Sequence, residues 1–146
     1  SGGACKAVLT YLLDNGVEKI YIASRTPENI NLNNINKRIE IINYYELANI
    51  NGYIIINTTP VGMYPNVDKS VVDNNIIKNF EVAVDLVYNP TRTKFLQIAI
   101  EEGKIAIGGL HMLVGQAVKS QAIFNDRDIS EELINYIYTE VAKDFN

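Results

Sequence analysis

The chain has 146 residues, of which 47% are hydrophobic and 21% charged, a composition typical of a globular domain with a substantial apolar core. Thirteen Lys and Arg residues against seventeen Asp and Glu give a net charge of −4 without a basic run, which excludes nucleic acid as a predicted partner. Apolar runs are only strand-length, so no membrane span is predicted, and Cys5 as the single cysteine excludes a disulfide framework and favours a cytoplasmic location.

A glycine-rich turn, Ser1-Gly2-Gly3-Ala4, opens the chain and runs directly into an apolar helix. Glycines allow close approach of the backbone to a ligand, and the N–H groups and positive dipole end of the helix favour a phosphate. The apolar face of this helix is predicted to consist of Ala4, Ala7, Val8, Tyr11 and Leu12. Asn15-Gly16 predicts its end. An ordinary surface turn remains the alternative.

A strand predicted at residues 18–23 completes most of a βαβ unit, and Ser24, Arg25 and Thr26 follow it. In dinucleotide-binding folds, an acidic residue about 20 positions after the glycines accepts from the ribose 2′-hydroxyl of NAD. Here a guanidinium with flanking hydroxyls suits a 2′-phosphate instead, so NADP is predicted as the cofactor. Glu28 would repel a 2′-phosphate if it turned inward, which leaves NAD open, and a solvated Arg25 is the plainer alternative.

Strands and helices alternate along the rest of the chain. Further strands are predicted at residues 38–42, 53–57, 82–87 and 104–107. Helices are predicted at residues 45–49, 70–78, 94–102, 110–124 and 131–143, with Ser130 as the N-cap of the last. This alternation predicts an α/β fold, a doubly wound (Rossmann-like) parallel sheet with helices on both faces and ligands at the carboxyl ends of its strands. We expect residues 1–109 to form a dinucleotide-binding domain without its first strand, closed by the helices of residues 110–146.

Three segments stand at those carboxyl ends: Asn57-Thr58-Thr59-Pro60-Val61-Gly62-Met63, Asp85-Leu86-Val87-Tyr88-Asn89-Pro90 and Gly109-Leu110-His111-Met112-Leu113-Val114-Gly115-Gln116. In this order, and with Gly2-Gly3-Ala4 and Ser24-Arg25-Thr26 at matching places, they resemble the nicotinamide-cofactor domain of the shikimate dehydrogenase family. The resemblance covers nearly the whole chain. It implies reversible hydride transfer between NADPH and the ring ketone of 3-dehydroshikimate, giving shikimate.

The resemblance also implies a role for each matching residue. Ser1, Gly2, Gly3 and Ala4 would hold the pyrophosphate, and Ser24, Arg25 and Thr26 the 2′-phosphate of the adenosine. Thr58, Pro60 and Val61 would line the dinucleotide groove, and Leu86, Gly109 and Met112 would stand near the nicotinamide. Tyr88 and Gln116 would reach the substrate. Without this context, Tyr88 would be interpreted as a core cap and Gln116 as one more exposed helix residue.

The family's proton-transfer residues are a lysine and an aspartate in an N-terminal substrate domain, and neither motif occurs in these 146 residues. We therefore expect this segment to carry no catalytic residue and no metal, and to be inactive without a substrate domain of the same polypeptide. Asp85 is expected to be a structural carboxylate bonded to nearby backbone N–H groups rather than a catalytic one. His111 stands where the family commonly has glycine, and an imidazole there can crowd the nicotinamide.

Other functions stay open at this point. One is a quinate/shikimate dehydrogenase that uses NAD. Another is a non-catalytic dinucleotide-binding regulatory module, which would have no reason to carry Tyr88 and Gln116. A flavodoxin-like or receiver-like domain is disfavoured, because no acidic or phosphate-binding cluster stands at the strand ends beyond Asp85. The sequence does not decide whether the protein forms a homodimer or whether further pathway modules are fused upstream.

Overall fold

The computed structural model describes residues 2–30 and 36–145. Ser1, which the resemblance assigns to the pyrophosphate, lies outside the described residues. The chain divides into two compact units, Ser1–Gly52 and Tyr53–Asn146, each with a parallel sheet. This division does not test the predicted boundary at residue 109, which stays a prediction. Within the described ranges, no helix is long and apolar enough to cross a membrane.

The first unit consists of a helix, a parallel pair of strands and short helical turns. Its elements are α1 (Gly3–Asp14), β1 (Ile20–Ser24), a 3-10 turn (Pro27–Asn29), β2 (Ile39–Asn43) and α2 (Tyr44–Leu47). The strands pair with Ile20 opposite Ile39 and Ser24 opposite Asn43. α2 begins at a capping box, in which Asn43 and Glu46 each accept from the other's backbone N–H.

The predicted apolar face of α1 is wrong by about one position. Tyr11 is 67% exposed and Ala4 and Ala7 are also exposed, whereas Leu9 is buried against Ile20 and Ile22 of β1. The residues that join Leu9 at this core from α1 are Cys5, Leu12 and Leu13. Apolar residues surround much of this helix, so spacing alone does not select a face; packing on β1 does.

The end of α1 follows the prediction. The helix ends at Asp14, and Gly16 adopts the left-handed conformation with φ 76°. Arg38 completes the helix end, since its guanidinium donates to the carbonyls of Leu13 at 3.2 Å and Val17 at 3.1 Å. This contact ties α1 to the residue that immediately precedes β2.

The second unit contains a three-stranded parallel sheet in the order β3-β4-β5. Its elements are β3 (Ile54–Asn57), α3 (Asn74–Ile77), β4 (Val82–Asp85), α4 (Lys94–Glu101), β5 (Ile105–Ile107), α5 (Leu110–Phe124), α6 (Glu131–Ala142) and a 3-10 turn (Lys143–Phe145). Val82 lies between Ile54 and Ile105 across the sheet. α5 and α6 pack together through Val114, Val118 and Ile134.

All predicted elements of the second unit are present, and two of them differ from the prediction by two residues or more at one end. The helix predicted at 70–78 begins only at Asn74, because the Asp73 side chain caps it and the Ser70 hydroxyl donates to the Val72 carbonyl in a preceding turn. The strand predicted to reach residue 87 ends at Asp85, since the Val87 N–H donates to the Asp85 carboxylate instead of the ladder. α5 has the predicted bounds, and Ser130 caps α6 by accepting from the Leu133 N–H.

Candidate functional site

The start of α1 and the end of β1 lie at the same end of the first unit, because the chain reverses between Asp14 and Ile20 and the two elements pack on each other. Gly2 precedes the helix in an extended conformation, and α1 has no side-chain cap. A Cβ added at Gly2 or Gly3 would meet no atom within 4 Å, so the space beside this backbone is open. The first N–H groups of a helix lack intrahelical partners and suit an anion.

Ser24, Arg25 and Thr26 stand at the carboxyl end of β1, as the sequence predicts. The Thr26 N–H donates to the Ser24 Oγ at 3.1 Å, which turns the chain after the strand and leaves the Ser24 hydroxyl proton available to a ligand. Arg25 and Thr26 are exposed. The first unit therefore presents a helix dipole end, a guanidinium and hydroxyl groups at one end, a combination that suits phosphate groups.

In the second unit, a buried polar network lies at the carboxyl ends of β3 and β4. Asp85 is 0% exposed, Thr93 0% and Asn57 2%. The Asp85 Oδ1 accepts from the Asn57 Nδ2 and from the Val87 N–H, both at 2.9 Å. The Asp85 Oδ2 accepts from the Thr93 hydroxyl at 2.6 Å. Asp85 is thus bonded to a backbone N–H as predicted, and two side-chain donors that the sequence did not reveal complete its partners.

Burial controls the ionisation of this carboxyl. It raises the pKa of Asp85 above the ordinary 3.8, and the hydrogen bonds from Thr93, Val87 and Asn57 lower it again in part. These bonds satisfy both oxygens, which is what a fully buried carboxylate requires. The geometry supports a structural carboxylate.

Asn57 also builds the loop that follows β3. Its Oδ1 accepts from the Thr59 N–H at 3.0 Å and the Thr59 hydroxyl at 2.7 Å, and its Nδ2 donates to the Val61 carbonyl at 3.2 Å. Thr58 and Val61 are half-buried and Pro60 is exposed within this loop. An Asn at a strand end followed by Thr is a recognisable turn signal in the sequence. The sequence does not reveal, however, that the Asn57 side chain also donates to Asp85.

Gly109 comes into direct contact with the loop after β4. Its N–H donates to the Val87 carbonyl at 3.2 Å, and a Cβ at this position would lie 2.4 Å from the Leu86 oxygen. Only glycine allows this approach. The structure therefore brings together the Leu86 and Gly109 backbones, and Tyr88, two residues beyond Leu86, is 38% exposed in the same loop. The Tyr64 N–H donates to the Asn89 carbonyl at 3.1 Å and joins this loop to the one after β3.

Met112 and Gln116 lie four residues apart on α5, so they share one face of its first two turns, and both are exposed. The His111 imidazole lies against α6, with its Nε2 3.2 Å from the Asn135 Oδ1 and its ring 5.3 Å from that of Tyr138. The His111 ring, which the family resemblance would place near a nicotinamide, thus contacts the neighbouring helix α6.

No protein-family model matches the chain. Over 99% of its length, however, it is 44% identical to the shikimate dehydrogenase (NADP(+)) of Clostridium beijerinckii, of which it covers 53%. Along nearly its whole length, the chain is similar to shikimate dehydrogenases. The crystal structure of shikimate dehydrogenase 1 from Peptoclostridium difficile is 48% identical with a TM-score of 0.92, and 99% of this chain and 53% of that one are covered.

A chorismate mutase/shikimate 5-dehydrogenase fusion protein from Clostridium acetobutylicum is 44% identical with a TM-score of 0.89, covering 99% of this chain and 51% of that one. These comparisons confirm the Rossmann-like α/β fold predicted from the sequence. The chain spans about half the length of the relatives it matches.

Proposed function

We propose that this chain is the NADP-binding domain of a shikimate dehydrogenase, which reduces 3-dehydroshikimate to shikimate reversibly with NADPH in aromatic amino-acid biosynthesis. The observation that carries the proposal is the close approach of Gly109 to the Leu86 carbonyl, beside Tyr88 and at the start of α5. It joins two of the segments on which the family resemblance depends. The similarity to the shikimate dehydrogenase (NADP(+)) of Clostridium beijerinckii supports the same function.

The first unit is proposed to bind the adenosine and phosphate portion of NADP. Gly2, Gly3 and Ala4 would present their backbone to the pyrophosphate, and Ser24, Arg25 and Thr26 would hold the 2′-phosphate. The open space beside Gly2 and Gly3 and the exposed guanidinium of Arg25 support this assignment.

The second unit is proposed to serve the nicotinamide portion and the substrate. Thr58, Pro60 and Val61 would line the cofactor's path, the Leu86 and Gly109 backbones would orient the nicotinamide, and Met112 would pack beside it and exclude water. Tyr88 and Gln116 would bind the substrate's hydroxyl and carboxylate end. NADPH supplies the hydride when bound. The proton for the carbonyl oxygen, which gains negative charge as hydride arrives, would come from a lysine of a substrate domain.

The proposal includes an N-terminal substrate domain of the same polypeptide as the partner of this chain. α5 and α6 would close the cofactor domain and face that partner. The chain alone would then bind NADP without turning over shikimate. A cytoplasmic location is part of the proposal, and a homodimer is left to measurement of the mass in solution.

A spectrophotometric assay of the polypeptide that contains this chain tests the function. Shikimate or quinate is the donor, NADP or NAD the acceptor, and the absorbance of the reduced nicotinamide is followed. We expect turnover with shikimate and NADP. Turnover only with quinate and NAD would assign the alternative substrate and cofactor. Binding of dinucleotide without turnover of any pair would replace the enzyme with a regulatory module.

Removing the Arg25 guanidinium tests the cofactor choice. We expect Arg25→Ala to weaken NADP binding to the chain by about 2 kcal/mol, or about thirtyfold in Kd, because a charge-assisted contact to the 2′-phosphate is lost, and to leave NAD binding nearly unchanged. Lys19→Ala is the matched control, since Lys19 precedes β1 at its other end and pairs with Glu40. Equal weakening of NADP and NAD in calorimetric titrations would count against the 2′-phosphate assignment.

A further inference from the structure

One buried carboxylate joins three separate segments of the second unit. Asp85 ends β4, and its donors are Asn57 at the end of β3, the Val87 N–H in the following loop, and the hydroxyl of Thr93, the N-cap of α4. Thr93 accepts from the Leu96 N–H as it donates to Asp85, so the position of the helix start depends on the same carboxylate.

The network extends from Asp85 into each loop assigned to the nicotinamide and substrate. Through Asn57 it reaches the Thr59 N–H and the Val61 carbonyl. Through Val87 it reaches the loop after β4, and the Val87 carbonyl accepts from the Gly109 N–H ahead of α5. Asp85 therefore joins the loops after β3 and β4 directly, and it is linked to the start of α5 through Val87.

The chemistry of the site requires a carboxylate at position 85. Both of its oxygens face donors, and a carboxylate is the side chain that offers only acceptors there. An amide in its place would direct an N–H group either at the Asn57 and Val87 donors or at the Thr93 hydroxyl, whose proton would then lack its acceptor. No side-chain polar atom that is buried among the described residues lacks a partner in the present arrangement.

We propose that Asp85 is a positioning residue for the nicotinamide end of the cofactor, holding the loops after β3 and β4 and the start of α5 in the arrangement that binds it. The inference rests on the proposed function. Asp85 touches neither cofactor nor substrate in this account; it acts through Asn57, Val87 and Thr93. Its loss would therefore weaken the nicotinamide contacts and spare the adenosine contacts, which belong to the first unit.

Two ligands separate these contacts in calorimetric titrations of the chain. Adenosine 2′,5′-bisphosphate carries only the adenosine end, whereas NADP carries both ends. We expect the unaltered chain to bind NADP more tightly than the bisphosphate. In Asp85→Asn, the Kd for NADP should rise about tenfold, because preorganised contacts are lost, while the Kd for the bisphosphate stays unchanged. A purely structural role would lower the melting temperature and leave the ratio of the two Kd values intact.

Thr93→Val provides a second, milder variant that removes one hydroxyl and keeps the branched shape. It should shift the ratio in the same direction, and it carries the test if Asp85→Asn does not fold. Thr93→Ser, which retains the hydroxyl, should restore the ratio. Asp73→Asn is the matched control for the Asp-to-Asn change, because Asp73 is exposed and caps α3.

The outcomes are distinct. An unchanged ratio in the folded variants, or equal binding of both ligands by the unaltered chain, would overturn the role of Asp85 and leave the proposed function standing. Failure of the unaltered chain to bind either ligand would overturn the proposed function, and this inference with it.

Discussion

At Gly109, backbone atoms of the loop after β4 occupy the space that a side chain would need. A Cβ would lie 2.4 Å from the Leu86 oxygen and 2.9 Å from the Val87 oxygen, both of which are backbone atoms. We expect Gly109→Ala to lower the free energy of unfolding by about 3 kcal/mol, because the loop after β4 must move. Urea denaturation of the wild-type and variant proteins measures this change in the free energy of unfolding.

Gly115, in the middle of α5, is the matched control for Gly109. A Cβ there would meet nothing within 4 Å. Since alanine is the better helix former, Gly115→Ala should raise the free energy of unfolding by about 0.5–1 kcal/mol. Equal effects of the two substitutions would contradict the close-contact argument at Gly109.

The ionisation of Asp85 has a consequence for stability at low pH. Its folded-state pKa is raised above 3.8, so the folded protein binds this proton more tightly than the unfolded chain does. The stability contributed by protonation is full below pH 3.8 and is lost as the pH rises through the folded-state pKa. Asp85→Asn lacks this titration. Urea denaturation at a series of pH values should show the stability of wild type relative to Asp85→Asn falling with rising pH in this window; a difference that grows would contradict the raised pKa.

Among the elements, the predicted start of α6 is confirmed, because capping is local. Ser130 precedes Glu131 and Glu132 and caps α6, which packs on α5 through Ile134. We expect Ser130→Ala to lower the free energy of unfolding by about 1 kcal/mol, measured by thermal or urea denaturation. Ser130→Asp, which keeps a side-chain acceptor at the N-cap, should retain the stability. An equal loss in both variants would show that the cap bond contributes nothing.

The predicted bounds of α3 and β4 are wrong where a side chain forms a hydrogen bond that competes with the regular backbone hydrogen bonds. Because the Asp73 side chain caps α3, this helix begins at Asn74, later than predicted. Because the Val87 N–H donates to the Asp85 carboxylate, β4 ends earlier than predicted. Both competitors are visible as residue types in the sequence. Their effect was missed because a periodicity argument counts apolar spacing and not the partners of each N–H group.

In the molecule as a whole, the two units differ in how much apolar side chain each encloses. Among the described residues, the largest fully buried apolar side chains, Phe95 and Ile77, belong to the second unit. A core cluster of the first unit consists of Leu9, Ile20 and Ile22. We expect the amide protons of β4 and α4 to exchange with solvent more slowly than those of β1 and α1, because opening the second unit exposes more buried surface. Hydrogen exchange followed by mass spectrometry checks this, and equal protection of the two units would contradict it.

The sequence by itself determined the alternation of parallel strands and helices, the Ser130 cap, the structural reading of Asp85 and the loops that carry the family resemblance, because periodicity, capping and turn chemistry act between near neighbours. Only the tertiary structure decided which face of α1 is buried, that Asn57 and Thr93 complete the bonds of Asp85, and that Gly109 lies on the Leu86 carbonyl. These contacts join residues that are distant in the chain, so they depend on how strands and helices pack and not on local spacing.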